Sequence, residues 1–394
     1  MREHPEPIIF ANDFNVVWTM VKWRCGWRNR GEDMKLAEQP NRSTACTIGR
    51  FAAVIGLTIF TVAPASGADL APLAMGPRSL PVPTGEVSSE MREIIAVKPD
   101  PNLRPLVKTG QEARTLADSL AVAANKRIPG LLARLNLTMT AATIDGVRVH
   151  TITPKTIPAE NQRRVLVHVH GGCYVLSPGE SGTIEGILMA GLGHYKVISV
   201  DYRMPPEAYF PAALDDAVTV YRAAVKEAGA KRVAVFGTSA GGALTLETML
   251  KAKDLKLAMP GAIAVGTPMA DATKVGDSFY TNEGIDNVLV SRDGFCDAAT
   301  VVYAKGHDLK DPLLSPVYGD FANFAPTILT SGTRDLLLSN TVRVHRKLRD
   351  AGVESFLQVF EGQSHAHYLR DDSAPETKAT FKEIGGFFDK HMGK

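Results

Sequence analysis

The stretch VAVFGTSAGGAL, residues 233–244, decides the fold of this chain, because an apolar strand runs directly into a serine set between glycines. Ser239 has Gly237 and Gly241 two positions away on either side, a pattern typical of a nucleophile elbow. In that turn the backbone bends so sharply that bulky side chains do not fit beside the serine. The small residues that follow let a helix begin close to the strand, with its positive end toward the hydroxyl. The stretch therefore predicts a strand, a nucleophilic serine and a helix in immediate succession.

Short apolar runs alternate with helical segments before and after this stretch. Uninterrupted apolar strands are typical of a parallel sheet that is covered by helices on both faces. A hairpin that turns at Asp145-Gly146 precedes the alternation. The predicted strands are 165–169, 197–200, 233–236, 262–265, 327–330 and 356–360, and the predicted helices are 212–228, 342–351 and 375–391. Residues 141–394 are therefore predicted to form one α/β domain with a mostly parallel central sheet flanked by helices.

Two segments outside this alternation predict a helical cap over the carboxyl ends of the strands. Apolar residues recur at helical spacing over 110–135, although Pro129 and Gly130 break the run. The segment 271–314 is polar and turn-rich, with one predicted helix near 293–304. The proline-rich residues 69–105 carry no strong period and predict an extended arm or linker. We thus expect an N-terminal arm and cap helices over 69–140, and a cap insertion over 271–314.

The first 68 residues are not expected to belong to the fold. Arg42 and Arg50 precede the uncharged apolar stretch 51–62, and small residues follow up to Ala68, as in a secretory signal. The stretch is short for a bilayer span, so a membrane anchor is the weaker interpretation. We predict an exported protein, periplasmic or secreted, without a stable membrane span after signal removal.

The position of the translation start is a separate question. All three tryptophans of the chain lie before Met34. This break in composition predicts that residues 1–33 are an over-extended, disordered start and that residues 34–68 are the signal peptide. The sequence leaves open whether translation begins at Met1 or Met34.

Charge and cysteine content exclude several classes of partner. Lys and Arg number 44 against 42 Asp and Glu, a net charge of +2, so neither nucleic acid nor anionic lipid is expected to bind. After signal removal only Cys173 and Cys296 remain, which could form one bridge but no disulfide framework. Metal-ligand spacings are missing from the sequence, so neither a metal nor a cofactor is predicted. The oligomeric state stays open, with a homodimer among the options.

A serine hydroxyl needs a base to take its proton, and an imidazole base needs a carboxylate to orient it. Asp335 follows the predicted strand 327–330, and His365 follows the predicted strand 356–360. Carboxyl ends of parallel strands meet at one edge of a sheet, so these side chains are expected to approach Ser239. We predict Ser239 as nucleophile, His365 as base and then acid, and Asp335 as its orienting carboxylate. This chain order is the one expected of an α/β-hydrolase.

Other residues compete for these roles. His367 lies two positions from His365, and Glu361 is a rival acid. Cys173 is a second candidate nucleophile, but it lacks the elbow context. His168, on a strand, is interpreted as a hydrogen-bonded core residue, and His170 as a side chain that braces the glycine loop.

Three motifs in one order carry a family resemblance. They are HGGC at 170–173, DYRMPPE at 201–207 followed by FPAA at 210–213, and GTSAG at 237–241. Over about residues 163–390 the chain resembles the hormone-sensitive lipase family of carboxylesterases. The resemblance implies a capped α/β-hydrolase that hydrolyses carboxylic esters without a cofactor. It also implies that the backbone amides of Gly172, Cys173 and Ala240 form the oxyanion hole.

The chain departs from the family pattern at Cys173, where the family has glycine. If the loop needs a positive φ there, the side chain costs about 1–2 kcal/mol. We also expect the change to bring a thiol beside the acyl site. Tyr174, next in the loop, is a candidate substrate contact.

These observations predict a serine carboxylesterase that hydrolyses small-to-medium uncharged carboxylic esters through an acyl-enzyme. Its partner is then a small-molecule ester. An amidase, a lactonase or an acyltransferase would use the same three residues. A non-catalytic small-molecule-binding relative is a further alternative, against which the presence of His365 argues.

Overall fold

The computed structural model describes Gly76 and residues 79–394. The predictions for residues 1–33 and 34–68 lie outside these described residues. Within the described part of the chain, no helix combines the length and the apolar character that a membrane crossing requires.

Eight strands form one sheet in which the predicted strands are all present, with ends shifted by at most two residues. They are β1 (Leu137–Ile144), β2 (Val147–Pro154), β3 (Val165–Val169), β4 (Lys196–Val200), β5 (Val233–Thr238), β6 (Ala262–Gly266), β7 (Thr327–Gly332) and β8 (Ser355–Phe360). The spatial order is β1-β2-β4-β3-β5-β6-β7-β8. The predicted hairpin pairs β1 with β2, and β2 runs antiparallel to β4. All strands from β3 to β8 are parallel, so the carboxyl ends of β5, β7 and β8 share one edge.

Nine α-helices accompany the sheet in the described residues. They are α1 (Ser89–Ile95), α2 (Gly110–Arg134), α3 (Ile184–Gly193), α4 (Ala212–Ala228), α5 (Ala240–Asp254), α6 (Ser278–Thr281), α7 (Phe295–Ala304), α8 (Leu338–Asp350) and α9 (Pro375–His391). Helices α4, α5 and α8 share an apolar core with one face of the sheet, whereas α3 and α9 share a core with the other face. The predicted three-layer α/β architecture is therefore confirmed.

The break predicted at Pro129 is wrong, because α2 runs through it without interruption. Thr109 caps the helix by accepting a hydrogen bond from the Glu112 N–H at 3.2 Å. Ile128 and Leu131 are buried on either side of Pro129, which is itself exposed. Burial of this apolar face offsets the one backbone hydrogen bond that the proline removes.

Residues 69–105 were predicted to form an extended arm, but the described part of this segment is not extended throughout. Helix α1 lies within it, and Ser88 caps that helix by accepting a hydrogen bond from the Met91 N–H at 3.1 Å. The N–H and hydroxyl of Ser88 both donate to the Glu376 carboxylate at 2.7 Å. A helix of seven residues with two buried apolar side chains is too short to produce a readable period.

The helices α2 and α7 meet at the edge of the sheet where the strands β5, β7 and β8 end. Ala113 and Ala117 of α2 pack with Phe295 and Ala299 of α7 and with the loop after β3. The two segments predicted to form a cap thus share a small apolar core with the glycine-rich loop. This core positions the loop beside Ser239.

Candidate active site

Ser239 occupies the turn between β5 and α5 in a strained conformation, with φ 65° and ψ −125°. Its N–H donates to the Gly266 carbonyl at 2.8 Å. Its carbonyl accepts from the N–H groups of Ala243 and Met269, both at 3.0 Å. Both backbone groups of the serine are therefore fixed, and these bonds offset a strain of about 1–3 kcal/mol.

The glycines around Ser239 are required by close backbone approach. A Cβ atom on either Gly237 or Gly241 would overlap the carbonyl oxygen of Val169, at the end of β3. Neither glycine has a positive φ. The space between the two strand ends, rather than a special dihedral angle, therefore explains the GTSAG pattern.

Asp335 and His365 meet as predicted at the ends of β7 and β8. The His365 Nδ1 lies 3.1 Å from Asp335 Oδ1, and both side chains are buried. The Leu337 N–H donates to Asp335 Oδ1 at 2.9 Å, and the Ser331 hydroxyl donates to Oδ2 at 2.8 Å. A carboxylate held in this way keeps the proton of a neutral imidazole on Nδ1 and leaves Nε2 as the acceptor.

One cavity of about 280 Å³ brings the predicted residues together. Ser239 and His365 line it, and so do Gly172 and Cys173 of the loop after β3. Ala240 is fully buried as the first residue of α5, where a helix leaves its N–H groups without intrahelical partners. In the described residues no group of three or more His, Cys, Asp or Glu side chains is arranged to hold a metal ion.

The loop after β3 is braced by His170, as predicted. The His170 ring stacks on Tyr202 with ring centroids 4.1 Å apart, and the Tyr202 hydroxyl donates to the His170 carbonyl at 2.8 Å. Burial lowers the pKa of His170 to about 4, so the ring is neutral near pH 7. Gly172 has φ 115°, and its carbonyl accepts from Val175 and Leu176 at 3.0 and 2.8 Å. These bonds hold the Gly172 carbonyl within its own turn.

The expectation of a thiol beside the acyl site at Cys173 is wrong, whereas the single bridge that the two cysteines could form is confirmed. Cys173 forms a disulfide with Cys296 of α7, across a Cα–Cα distance of 5.3 Å. The φ of Cys173 is 54°, so the side chain does sit on a left-handed backbone, with the strain expected for a residue other than glycine. The cap core places α7 against this loop, which brings two cysteines that are 123 residues apart within bonding reach. The bond ties the glycine-rich loop to the cap.

The prediction that Tyr174 contacts substrate is contradicted. Its side chain is 1% exposed and stacks on Tyr303 with ring centroids 4.4 Å apart. Its hydroxyl donates to Glu247 Oε1 at 2.6 Å. This aromatic stack and buried hydrogen bond hold the ring in the core, away from the residues that line the cavity.

The rival residues lie in other environments. His367 Nε2 lies 2.7 Å from Asn287 Oδ1, while its Nδ1 accepts from the Ser364 N–H at 3.2 Å. Burial lowers its pKa to about 3, which makes it a poor base near neutral pH. Glu361 is exposed at the surface. His168 is fully buried, with Nδ1 2.9 Å from the Ser199 hydroxyl, as expected of a core histidine.

Sequence reasoning missed Asp286, a fully buried carboxylate between α6 and α7. Its Oδ2 accepts from the N–H groups of Leu336 and His365 at 2.8 and 3.3 Å. Its Oδ1 accepts from Val288 and Leu289 at 2.8 and 3.1 Å. One side chain therefore holds the loop after β7 and the loop after β8 together. An isolated aspartate in a turn-rich insertion carries no signal for such a role.

The sheet order, the strained serine and the shared cavity define an α/β-hydrolase. The sequence profile of a protein family described as having an alpha/beta hydrolase fold matches residues 166–369, more than half of the chain. The chain therefore belongs to this family.

Similar proteins narrow the class further. The crystal structure of an esterase named E25 is 43% identical, covers 82% of this chain and 99% of its own, and superimposes with a TM-score of 0.79. A hormone-sensitive lipase from a metagenome library is 26% identical, with a TM-score of 0.62 and coverage of 71% of this chain and 98% of its own. An acetyl-hydrolase of Streptomyces hygroscopicus is 26% identical over 60% of this chain and 79% of its own length. The predicted resemblance to the hormone-sensitive lipase family and the class of ester hydrolase are thus confirmed.

Proposed function

We propose that this enzyme is a serine carboxylesterase that works through an acyl-enzyme on Ser239. The single observation that carries the proposal is the shared cavity, in which Ser239 and His365 face the same space while buried Asp335 holds the far nitrogen of His365. A nucleophile, a base and an orienting carboxylate are the three groups that serine-based acyl transfer requires.

In the first half of the proposed reaction, His365 Nε2 takes the proton of the Ser239 hydroxyl as Oγ attacks the ester carbonyl. The tetrahedral intermediate collapses by breaking the bond to the alkoxy oxygen. His365 returns the proton to that oxygen, and the alcohol leaves. The acyl group then remains on Ser239.

In the second half, water enters and His365 takes one of its protons. The hydroxide oxygen bonds to the acyl carbon, and collapse of the second intermediate breaks the bond to Ser239 Oγ. The proton returns to Oγ, and the carboxylic acid leaves. The cycle regenerates the free serine and needs no cofactor.

The oxyanion is proposed to lie against the amides of Gly172, Cys173 and Ala240. The Ala240 N–H stands at the positive end of α5, which favours developing negative charge. The disulfide and the His170 bracing support a preorganised loop, and preorganised donors cost little reorganisation during the reaction.

The cavity supports small-to-medium esters as substrates. Its volume of about 280 Å³ leaves room for short acyl and alcohol groups. The name of the Streptomyces acetyl-hydrolase also favours a small acyl group. The reacting ester is proposed to be an uncharged carboxylic ester, and a p-nitrophenyl chain-length series on the mature protein measures the acyl preference.

The protein is also proposed to work outside the cytoplasm, periplasmic or secreted. The bond between Cys173 and Cys296 supports this location, because disulfides persist in oxidising compartments. Fractionation of cells that express the full chain, followed by N-terminal sequencing of the product, tests the location and the cleavage after Ala68. Recovery of uncleaved protein in the cytoplasm alone would contradict it.

Replacement of the nucleophile tests the reaction. Ser239→Ala is expected to lower kcat on p-nitrophenyl butyrate by about 10³-fold or more, because no acyl-enzyme forms. Ser89→Ala, which alters an exposed serine of α1, serves as the matched control. Esterase activity in Ser239→Ala equal to that of the control would refute the proposal.

A further inference from the structure

Three arginines line the cavity that also contains Ser239 and His365. They are Arg104 before α2, Arg127 within α2, and Arg370, which follows His365 by five positions. An uncharged ester offers none of them a counter-charge. We therefore looked to the charge of the ligand to explain why three arginines line one small cavity.

The guanidinium groups of Arg104 and Arg127 are held in place by neutral groups. Arg104 donates through Nη1 to the Val288 carbonyl at 3.0 Å and lies 6.0 Å from the centre of the Phe295 ring. Arg127 donates through Nη2 to the backbone carbonyl of Arg370 at 3.1 Å. These bonds fix the positions of the two side chains but bring no negative charge into contact with them.

None of the three arginines has a carboxylate oxygen within 4 Å among residues 79–394. Asp286 attracts Arg104 and Arg370 from farther away, while its own oxygens are held by four backbone N–H groups and contact neither guanidinium. Other acids nearby are likewise held by groups of the protein.

Two of these acids have defined partners. Glu185, on the cavity wall, accepts from the Thr238 hydroxyl at 2.6 Å and lies 3.2 Å from His168 Nε2. Asp372 accepts two hydrogen bonds from Arg134, at 3.1 and 2.7 Å. Within the described part of the chain, no carboxylate therefore forms an ion pair with any of the three arginines.

Holding these cations together is unfavourable in the free enzyme. Loss of solvent lowers the pKa of Arg104, and the same effect together with the charge of Arg127 lowers the pKa of Arg370. A bound anion would reverse both penalties, since guanidinium groups bind carboxylates through paired, charge-assisted hydrogen bonds. The arrangement is thus complementary to a negatively charged ligand.

We propose that the preferred substrate is an ester that carries a carboxylate remote from the scissile bond, and that Arg104, Arg127 and Arg370 bind this carboxylate. Half-esters of dicarboxylic acids and esters of hydroxy acids are the two chemical classes with this arrangement. The assignment of the reacting end rests on the proposed function of Ser239. The scissile ester group is neutral, but the substrate as a whole is an anion, so this inference replaces the uncharged molecule of the proposed function with a charged one.

Matched ester pairs test the proposal. The first pair is mono-p-nitrophenyl glutarate against p-nitrophenyl valerate, in which the acyl part carries the charge. The second is 4-acetoxybenzoate against methyl 4-acetoxybenzoate, in which the alcohol part carries it. We expect kcat/KM for the anionic member of at least one pair to exceed that of its neutral partner about tenfold, and salt to reduce the difference. Neutral esters that react as fast or faster in both pairs would overturn the proposal.

Arginine variants assign the effect to the three side chains. In Arg104→Gln, Arg127→Gln and Arg370→Gln, the ratio of anionic to neutral kcat/KM is expected to fall about fivefold or more, mainly through KM. Arg346→Gln, at an exposed position of α8, is the charge-matched control and should keep the wild-type ratio. A ratio that none of the three cavity variants changes would contradict the assignment.

A binding measurement separates this inference from the catalytic proposal. Monomethyl glutarate is titrated into Ser239→Ala by calorimetry, with and without the additional Arg370→Gln change. We expect saturable binding that the second change weakens about fivefold or more. Such binding without any ester hydrolysis in the wild type would support the arginine site and refute the esterase proposal. Hydrolysis of neutral esters without binding of the carboxylate would refute the arginine site alone.

Discussion

The elbow around Ser239 and the cap around Cys296 differ in what fixes their structure. At the elbow, buried backbone hydrogen bonds and the close approach of two strand ends hold the chain in place. At the cap, a small apolar core and one disulfide hold α7 against the glycine-rich loop. Under the proposed function, the reaction depends on the elbow, and we expect the choice of substrate to depend on the cap. Changes at the elbow should abolish turnover, and changes in the cap should modify it.

The largest effect is expected at the orienting carboxylate. Asp335→Asn keeps the size of the side chain but allows the wrong tautomer of His365, so kcat should fall about 10³–10⁴-fold. Steady-state kinetics on p-nitrophenyl butyrate measures the loss. Glu361→Gln, on the neighbouring exposed loop, provides the control with an unchanged kcat. If the two variants retained equal activity, Asp335 would have no part in orienting the base.

Removal of the disulfide tests the contribution of the cap. Cys296→Ser is expected to lower the free energy of unfolding by about 2–4 kcal/mol, since the bond closes a long loop of the unfolded chain. Urea denaturation measures this change. Wild-type protein under dithiothreitol should lose the same amount, while the variant should not respond to the reagent. A reductant-insensitive wild type would contradict the role of the bond.

A second variant separates strain from cross-linking at the same position. Cys173→Gly removes the bond but also relieves the left-handed backbone at φ 54°. It should therefore be more stable than Cys173→Ser by about 1 kcal/mol, with its fold and turnover retained. If Cys173→Gly folded but had no activity, the side chain would be required for turnover.

Acid should destabilise the braced loops through their buried histidines. Burial lowers the folded-state pKa values of His367 and His170 to about 3 and about 4, below the ordinary histidine value of 6.5. Between those values and 6.5 the unfolded chain binds more protons, so stability falls as pH drops through this window. His367→Gln should flatten the dependence between pH 6.5 and 4, by about 1 kcal/mol per pH unit. If the free energy of unfolding changed with pH equally in the variant and the wild type, His367 would not cause the loss of stability in acid.

The smallest effect on turnover is expected at Asp286. In Asp286→Asn, one of the two acceptor oxygens becomes an NH2 donor. The amide can then accept only some of the backbone hydrogen bonds, such as those from Leu336 and His365, that the carboxylate accepts. We expect kcat to fall about tenfold with little change in KM, because the two loops lose their common anchor. The pH dependence of kcat should shift as well, since the carboxylate lies next to His365. An unchanged pH profile together with normal kcat would leave Asp286 with a purely structural role.

The elbow and the cap also differ in how far the sequence alone predicts them. The strands and the order of Ser239, Asp335 and His365 follow from apolar runs and from loop positions after them. Both are local patterns in the chain. Helix α3 left no prediction, because it is buried almost all round and shows no polar face from which to read a period.

The cap required contacts between distant segments. The pairing of Cys173 with Cys296, the burial of Tyr174 and the four N–H groups on Asp286 depend on how the insertion folds back over the sheet. The continuous helix through Pro129 is likewise a result of packing that outweighs local preference. Such features arise from tertiary structure, and a single sequence carries no spacing that reveals them.

Covalent labelling tests the central claim most directly. The mature enzyme is treated with a fluorophosphonate probe, and the modified peptide is identified by mass spectrometry. We expect one label, on Ser239, whose rate of formation falls about 10²-fold or more in His365→Ala because the base is missing. Labelling at another residue, or an equal rate on Ser239 without His365, would contradict the account.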